Sequence, residues 1–160
     1  MLILYFIGVL LLFALDQLSK LAVLSFIKPI AAIPLWKNVF HLTYLENRGA
    51  AFGILQNKFG LFFIITVLVI VFITAFLIRK RPKSLMLNIS LTLLVGGALG
   101  NFADRLFRGF VVDFLDFRLI HFPVFNLADC FVFVGAILLA WYIVIVDGRQ
   151  KQSEESDENE

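Results

Sequence analysis

The predicted fold class is an all-α polytopic membrane protein, with four transmembrane helices and a small extracytoplasmic β-like or loop cradle between helices 1 and 2. Three observations predict it. The chain is 61% hydrophobic and 16% charged, where an ordinary soluble domain is about 45–50% apolar and about 25% charged. Four stretches, at about 2–27, 59–78, 85–103 and 123–146, approach or exceed the roughly 20 apolar residues that span a bilayer. The connection at 28–58 is too apolar for disorder and longer than an ordinary turn, which favours a functional loop. One membrane-embedded domain over 1–147 accounts for the length, with a disordered acidic cytoplasmic tail at 148–160.

The first stretch lacks the basic n-region of a secretory signal, and Asp16 and Lys20 interrupt its apolar run before it resumes. It reads as a retained helix. Asp16 and Lys20 stand at i and i+4, so they share a face and can pair. Such a pair either locks helix packing or orients a polar site nearby. In the long connection, Pro29 and Pro34 stop helix continuation. VFHLTYL (39–45) is rich in β-formers and fits one or two short strands lying on the membrane. In NRGAAFG (47–53), Gly49, Ala50, Ala51 and Gly53 permit close backbone approach, as a substrate-facing cradle requires.

The second stretch carries no charge and reads as scaffold. It ends in RKRPK (79–83), the densest basic cluster in the chain. Total basic counts do not decide topology, since Lys28, Lys37, Arg48 and Lys58 lie in one opposing loop and Arg105, Arg108 and Arg118 in the other. Density in the short turn places it in the cytoplasm. Both termini are then inside, and residues 28–58 and 104–122 outside. The third stretch ends in GGALGNFADR (96–105), whose Gly96, Gly97 and Gly100 suit close helix packing. An irregular connection follows with Asp113 and Asp116, the latter read as a solvated loop acid. The fourth helix starts after Pro123.

Several functions are excluded or disfavoured. One cysteine (Cys130) and two distant histidines (His41, His121) do not form a zinc ligand set. Cys130 reads as a small buried residue and the histidines as interfacial. There is no glycine-rich phosphate loop and no nucleic-acid module. No internal repeat supports an inverted-repeat transporter.

What remains is a set of costly polar residues. The second half of helix 1, the end of helix 3 and the start of helix 4 all face one membrane surface. Asp16, Lys20, Asn101, Asp104, Arg105, Asp113, Asn126 and Asp129 therefore gather toward the outer leaflet, where such groups need a partner or a job. Asp113 and Asp129 are the candidates for chemistry. Two close carboxylates cannot both ionise easily and share a proton. One can then draw a proton from water while the other polarises a peptide carbonyl. Each residue also has a plainer role. Asn126 and Asp129 can cap a helix, and Asp104–Arg105 can be an interfacial pair with Arg105 snorkelling. The competing functions are a proton- or ion-coupled transporter and a small assembly subunit locked by charge pairs. A presenilin-like protease lacks support, because its GxGD signature is absent.

Five blocks, in order, resemble those of the lipoprotein signal peptidase family, the type II signal peptidases of bacterial inner membranes. They are DQLSK (16–20), ENRGAAFG (46–53), GGALGNFADR (96–105), VVDF (111–114) and FNLAD (125–129). The resemblance spans nearly the whole chain and implies an intramembrane aspartic endopeptidase with Asp113 and Asp129 catalytic. It implies that Asn47, Gly49, Asn101, Arg105 and Asn126 hold substrate backbone and shape the site. Asp16 and Lys20 match a structurally important pair, with Asp104 a supporting acid. The implied substrate is a prolipoprotein with a diacylglyceryl-modified cysteine, cut just before that cysteine. The implied setting is the bacterial cytoplasmic (inner) membrane, with membrane lipids as partners. The expectation is a monomer with no metal, organic cofactor or nucleic acid.

Overall fold

The computed structural model describes residues 2–49, 59–120 and 122–147. Helix α1 (Leu2–Ala22) continues through one wide turn (Val23–Ile27) and one tight turn (Lys28–Ile30), and the chain then enters strands β1 (Ala32–Trp36) and β2 (Phe40–Asn47). Helices α2 (Phe59–Lys80) and α3 (Leu85–Arg108) follow, then strand β3 (Val111–Phe117) and helix α4 (Leu127–Trp141), which runs on to Asp147. Four helices are long and apolar enough to cross a membrane. Helix α3 is their centre: 44% of its span is buried, against 11–17% for the others.

Small residues set how closely the helices approach α3. A Cβ added at Gly97 would lie 2.4 Å from the Ala128 carbonyl oxygen, and one at Gly96 would lie 2.8 Å from Leu12. Ser84 caps the start of α3 by accepting a hydrogen bond from the Leu87 N–H. Gly109 closes its end at φ +77°, its N–H donating to the Arg105 carbonyl. A left-handed closing residue of this kind is the usual glycine position.

One apolar core joins α1, α2 and α3 through Tyr5, Val9, Ile73, Leu77, Leu87, Leu91 and Val95. A second joins the end of α1 to the sheet through Val23, Ile27, Val112 and Phe114. Large apolar side chains such as Ile3, Phe72 and Val144 face outward, as a hydrocarbon environment permits.

The sheet is antiparallel with order β1-β2-β3. It departs from expectation in three ways. Residues 111–117 are a strand, not an irregular connection: β3 pairs with β2 from Phe40 opposite Phe117 to Asn47 opposite Val111. Helix α3 runs on to Arg108, beyond position 103, because its charged last turns are internally satisfied. Residues 123–126 precede the fourth helix as extended chain, and Phe125 bridges Leu115. Asp116 is likewise no loop acid. It lies on β3 opposite His41 and accepts from Thr43 Oγ1 and Arg118 Nε, each at 2.8 Å. His41 is buried in the sheet, and Cys130 is half-buried. The expectations for Ala50, Ala51, Gly53, His121 and the 148–160 tail fall outside the described residues.

Candidate active site

The site forms where β3 and the start of α4 meet the last turns of α3. The β2–β3 register sets Asp113 opposite Leu45 and brings Asn47 alongside. Asn47 Nδ2 donates to Asp113 Oδ2 at 2.8 Å, and Asn126 Nδ2 donates to Asp113 Oδ1 at 2.5 Å. Asn126 also opens α4 with a reciprocal cap: the Asp129 N–H donates to Asn126 Oδ1 at 3.0 Å, and the Asn126 N–H donates to Asp129 Oδ2 at 3.2 Å.

Asn101 completes the link. Its Nδ2 donates to Asp129 Oδ1 at 2.7 Å, and its Oδ1 accepts from Asn126 Nδ2 at 3.1 Å and from Lys20 Nζ at 3.0 Å. Asp113 and Asp129 are thus joined through two asparagine amides. Arg105 fastens the β2 end to α3, donating to the Gly49 carbonyl at 3.1 Å and the Asn101 carbonyl at 3.3 Å. The Gly49 N–H donates to Asn47 Oδ1 at 2.9 Å, which turns the Asn47 amide nitrogen toward Asp113. Arg105 therefore reaches inward to backbone rather than snorkelling.

Beneath this layer sits an ion cluster. Lys20 Nζ lies 2.9 Å from Asp16 Oδ2 and 3.0 Å from Asp104 Oδ2, all three residues being fully buried. Asp16 Oδ1 accepts the Ala128 N–H at 3.0 Å, and Asp104 Oδ2 accepts the Val112 N–H at 3.0 Å. The cluster so pins both the start of α4 and the start of β3. Asp104 pairs with Lys20 and Arg108, not with Arg105.

A family model described as signal peptidase (SPase) II matches residues 8–145. The chain belongs to the signal peptidase II family. A lipoprotein signal peptidase of Clostridioides difficile (strain 630) is 45% identical over 148 residues, covering 92% of this chain and 99% of that protein. One from Halothermothrix orenii is 50% identical over 138 residues, covering 86% and 93%. A bacterial membrane enzyme solved by the in meso method at 2.3 Å resolution superposes with a TM-score of 0.81 at 32% identity, covering 92% of this chain and 90% of that one. A second, at 1.9 Å, gives 0.79 at 32% identity. This signal peptidase II family member is accordingly a peptidase and a multi-pass membrane protein, with the four-helix, small-sheet architecture of its relatives.

Every site residue named from this peptidase's sequence lies in one of the two polar layers. Two further members of the ion cluster, Gln17 and Arg108, are not among those candidate site residues. Gln17 Nε2 donates to Asp16 Oδ2, the Gly100 carbonyl and Asp104 Oδ1 at 3.1–3.2 Å, and Arg108 reaches Gln17 Oε1 at 3.0 Å as well as Asp104. The signal for Arg108 was the i, i+4 spacing from Asp104. Gln17, beside Asp16, carries no comparable pattern.

Electrostatics separate the layers. Burial pushes the Asp113 carboxyl up to about 7, and the charge of Asp129 adds to the rise. The hydrogen bonds from Asn47 and Asn126 oppose it. Asp113 thus holds or releases a proton near neutrality, next to a second carboxylate with which it is coupled through amides.

Proposed function

We propose that this peptidase removes the signal peptide from diacylglyceryl-modified prolipoproteins, cutting just before the lipidated cysteine, by activating water between Asp113 and Asp129. The observation that carries the mechanism is the Asp113–Asn126–Asn101–Asp129 hydrogen-bonded series, with Asp113 held near a pKa of about 7. Its relatives bear the name lipoprotein signal peptidase, which supports the substrate class.

In this mechanism the pair carries one proton, on Asp113. Asp129 takes a proton from the attacking water as its oxygen bonds to the scissile carbonyl carbon, and Asp113 gives its proton to the carbonyl oxygen. Collapse returns that proton to Asp113, and Asp129 protonates the leaving nitrogen as the C–N bond breaks. One water is consumed and the pair is restored. Arg105 and the Asn47–Gly49 turn serve as fixed donors and acceptors for substrate backbone that has left its helix and has no water to bond. The lipidated cysteine keeps the scissile bond near the interface while its acyl chains stay in lipid. The site then faces the outer leaflet, with both termini in the cytoplasm.

The test is cleavage of a diacylglyceryl-modified prolipoprotein by the purified protein in detergent, beside its unmodified form, Asp113→Asn and Asp129→Asn. The wild type should cut only the modified form, before its cysteine. Both folded variants should lose roughly 10²–10⁴-fold or more in rate. Equal cleavage of the unmodified form would overturn the substrate assignment. An active variant would overturn the two-aspartate mechanism.

A further inference from the structure

Far from the aspartates lies a second feature that the peptidase chemistry does not use. A cavity of about 330 Å³ opens where the start of α1, the end of α2 and the start of α3 come together. Its walls are Leu2, Ile3, Tyr5 and Leu77, with two polar residues, Arg81 and Asn88. Asn88 is 13 positions before Asn101 on α3, which separates the cavity from the active site by about 20 Å along the helix. Helices α1 and α2 meet beside it through the Tyr5–Thr74 hydroxyl hydrogen bond of 2.9 Å.

Charge is concentrated at this end. Arg79, Lys80, Arg81 and Lys83 are all exposed. Among the described residues none of the four has an ion-pair partner. Arg79 and Lys80 complement the C-terminal end of α2 and need no further ligand. Arg81 differs. It is the residue that closes α2, its N–H donating to the Leu77 carbonyl at 3.1 Å, with φ +45°. Glycine or asparagine ordinarily fills that left-handed position, so an arginine there is a costly choice. Among the described residues its Nε touches only the Ile78 carbonyl, at 3.4 Å, and its side chain lines the cavity. The first-turn amides of the 24-residue α3 begin just beyond it, at the same end.

We propose that this cavity is an anionic phospholipid site. An acyl chain lies against Leu2, Ile3, Tyr5 and Leu77, and the phosphate is held by Arg81, with Lys80 and Lys83 adding positive field. Basic pockets between transmembrane helices suit such headgroups. The volume is at the small end of the range for ligand pockets, enough for part of one chain and not for a whole lipid. Bound there, the lipid bridges α1 to the α2–α3 turn and tightens the end of the bundle opposite the site. The alternative occupant that the test must separate is the acidic segment SEESDENE (153–160) of this same chain.

The test is lipid retention by native mass spectrometry on the full-length protein. It is carried out in mild detergent with phosphatidylcholine and phosphatidylglycerol supplied together, and paired with thermal unfolding in nanodiscs of phosphatidylcholine with and without phosphatidylglycerol. Wild type should retain phosphatidylglycerol preferentially and melt higher when it is present. Arg81→Gln should weaken retention about tenfold or more. Ile3→Trp, which fills the apolar wall and leaves every charge in place, should weaken it too. Lys37→Gln, on the β1–β2 turn, should not. Soluble glycerophosphoglycerol should fail to compete. Retention by Arg81→Gln or Ile3→Trp equal to wild type would overturn the site, as would equal loss in Lys37→Gln or full competition by the soluble headgroup. The tail would be the true occupant if wild type showed no preference and a variant with Glu154, Glu155, Asp157 and Glu158 neutralised acquired one.

Discussion

Two sets of carboxylates lie one above the other. In the lower set, Asp16 and Asp104 share the Lys20 ammonium at 2.9 and 3.0 Å, and Arg108 adds a second cation to Asp104. In the upper set, the two oxygens of Asp113 take the amides of Asn47 and Asn126. Asp129 is half-buried, but burial does not distinguish Asp104 from Asp113, at 0% and 1% exposed. Partner charge does. A carboxylate facing an ammonium and a backbone N–H ties elements together and acts as structure. A carboxylate buried among neutral amides beside another acid is raised toward neutrality, as Asp113 is, and can carry a proton in the proposed mechanism. One fold uses the same side chain both ways, and the lower set supplies the rigidity that the upper set needs.

That comparison can be broken at the cation. Lys20→Met leaves Asp16 and Asp104 buried without their shared partner, and losing one member of a buried pair costs about 3–5 kcal/mol. A correspondingly large fall in the unfolding midpoint in detergent is expected, together with weakened cleavage, since Asn101 loses its Lys20 hydrogen bond. A midpoint within a degree or two of wild type would mean that the ion cluster is not structural.

A smaller effect comes from packing. A Cβ at Gly100 would stand 2.4 Å from Asp16 Oδ2 and 2.8 Å from its Cγ. Asp16 is held by Lys20, Gln17 and the Ala128 N–H, so it cannot swing away freely. Gly100→Ala should cost about 1–3 kcal/mol and displace the start of α4. Unfolding curves check the first effect and the cleavage rate the second. Least affected should be the sheet pair: Arg118 is 45% exposed beside Asp116, and Arg118→Ala should cost less than about 1 kcal/mol, with activity unchanged.

Much of this was legible in the sequence. The four spans follow from apolar length alone, and the i, i+4 spacing of Asp16 and Lys20 anticipated their ion pair. The reciprocal Asn126–Asp129 cap was readable as one of its possible roles. Strand β3 was not legible. Its acids at 113 and 116 disrupt a clean period of two, and its partner strand lies 64 to 77 positions away by register, from Asn47 opposite Val111 to Phe40 opposite Phe117. The true end of α3 was hidden for a related reason. Asp104, Arg105 and Arg108 look like an interfacial boundary until Lys20, Gln17 and Gly49 supply their partners. Local pattern marks where a helix becomes polar, and only tertiary pairing decides whether it stops.

The proposed mechanism turns on a proton held at Asp113. Its carboxyl is raised from 3.8 to about 7, so the native protein keeps a proton that the unfolded chain releases from about pH 4 upward. The associated stability is present in full below about pH 4 and lost as pH rises through about 7. In the proposed mechanism the same ionisation removes the proton that polarises the scissile carbonyl. The most direct measurement is kcat/KM for prolipoprotein cleavage from pH 5 to 9, with folding verified at each pH. The rate should fall along an alkaline limb centred near pH 7, and Asp113→Asn should be inactive throughout. A rate that stays flat or climbs between pH 7 and 9 would contradict a proton held at Asp113.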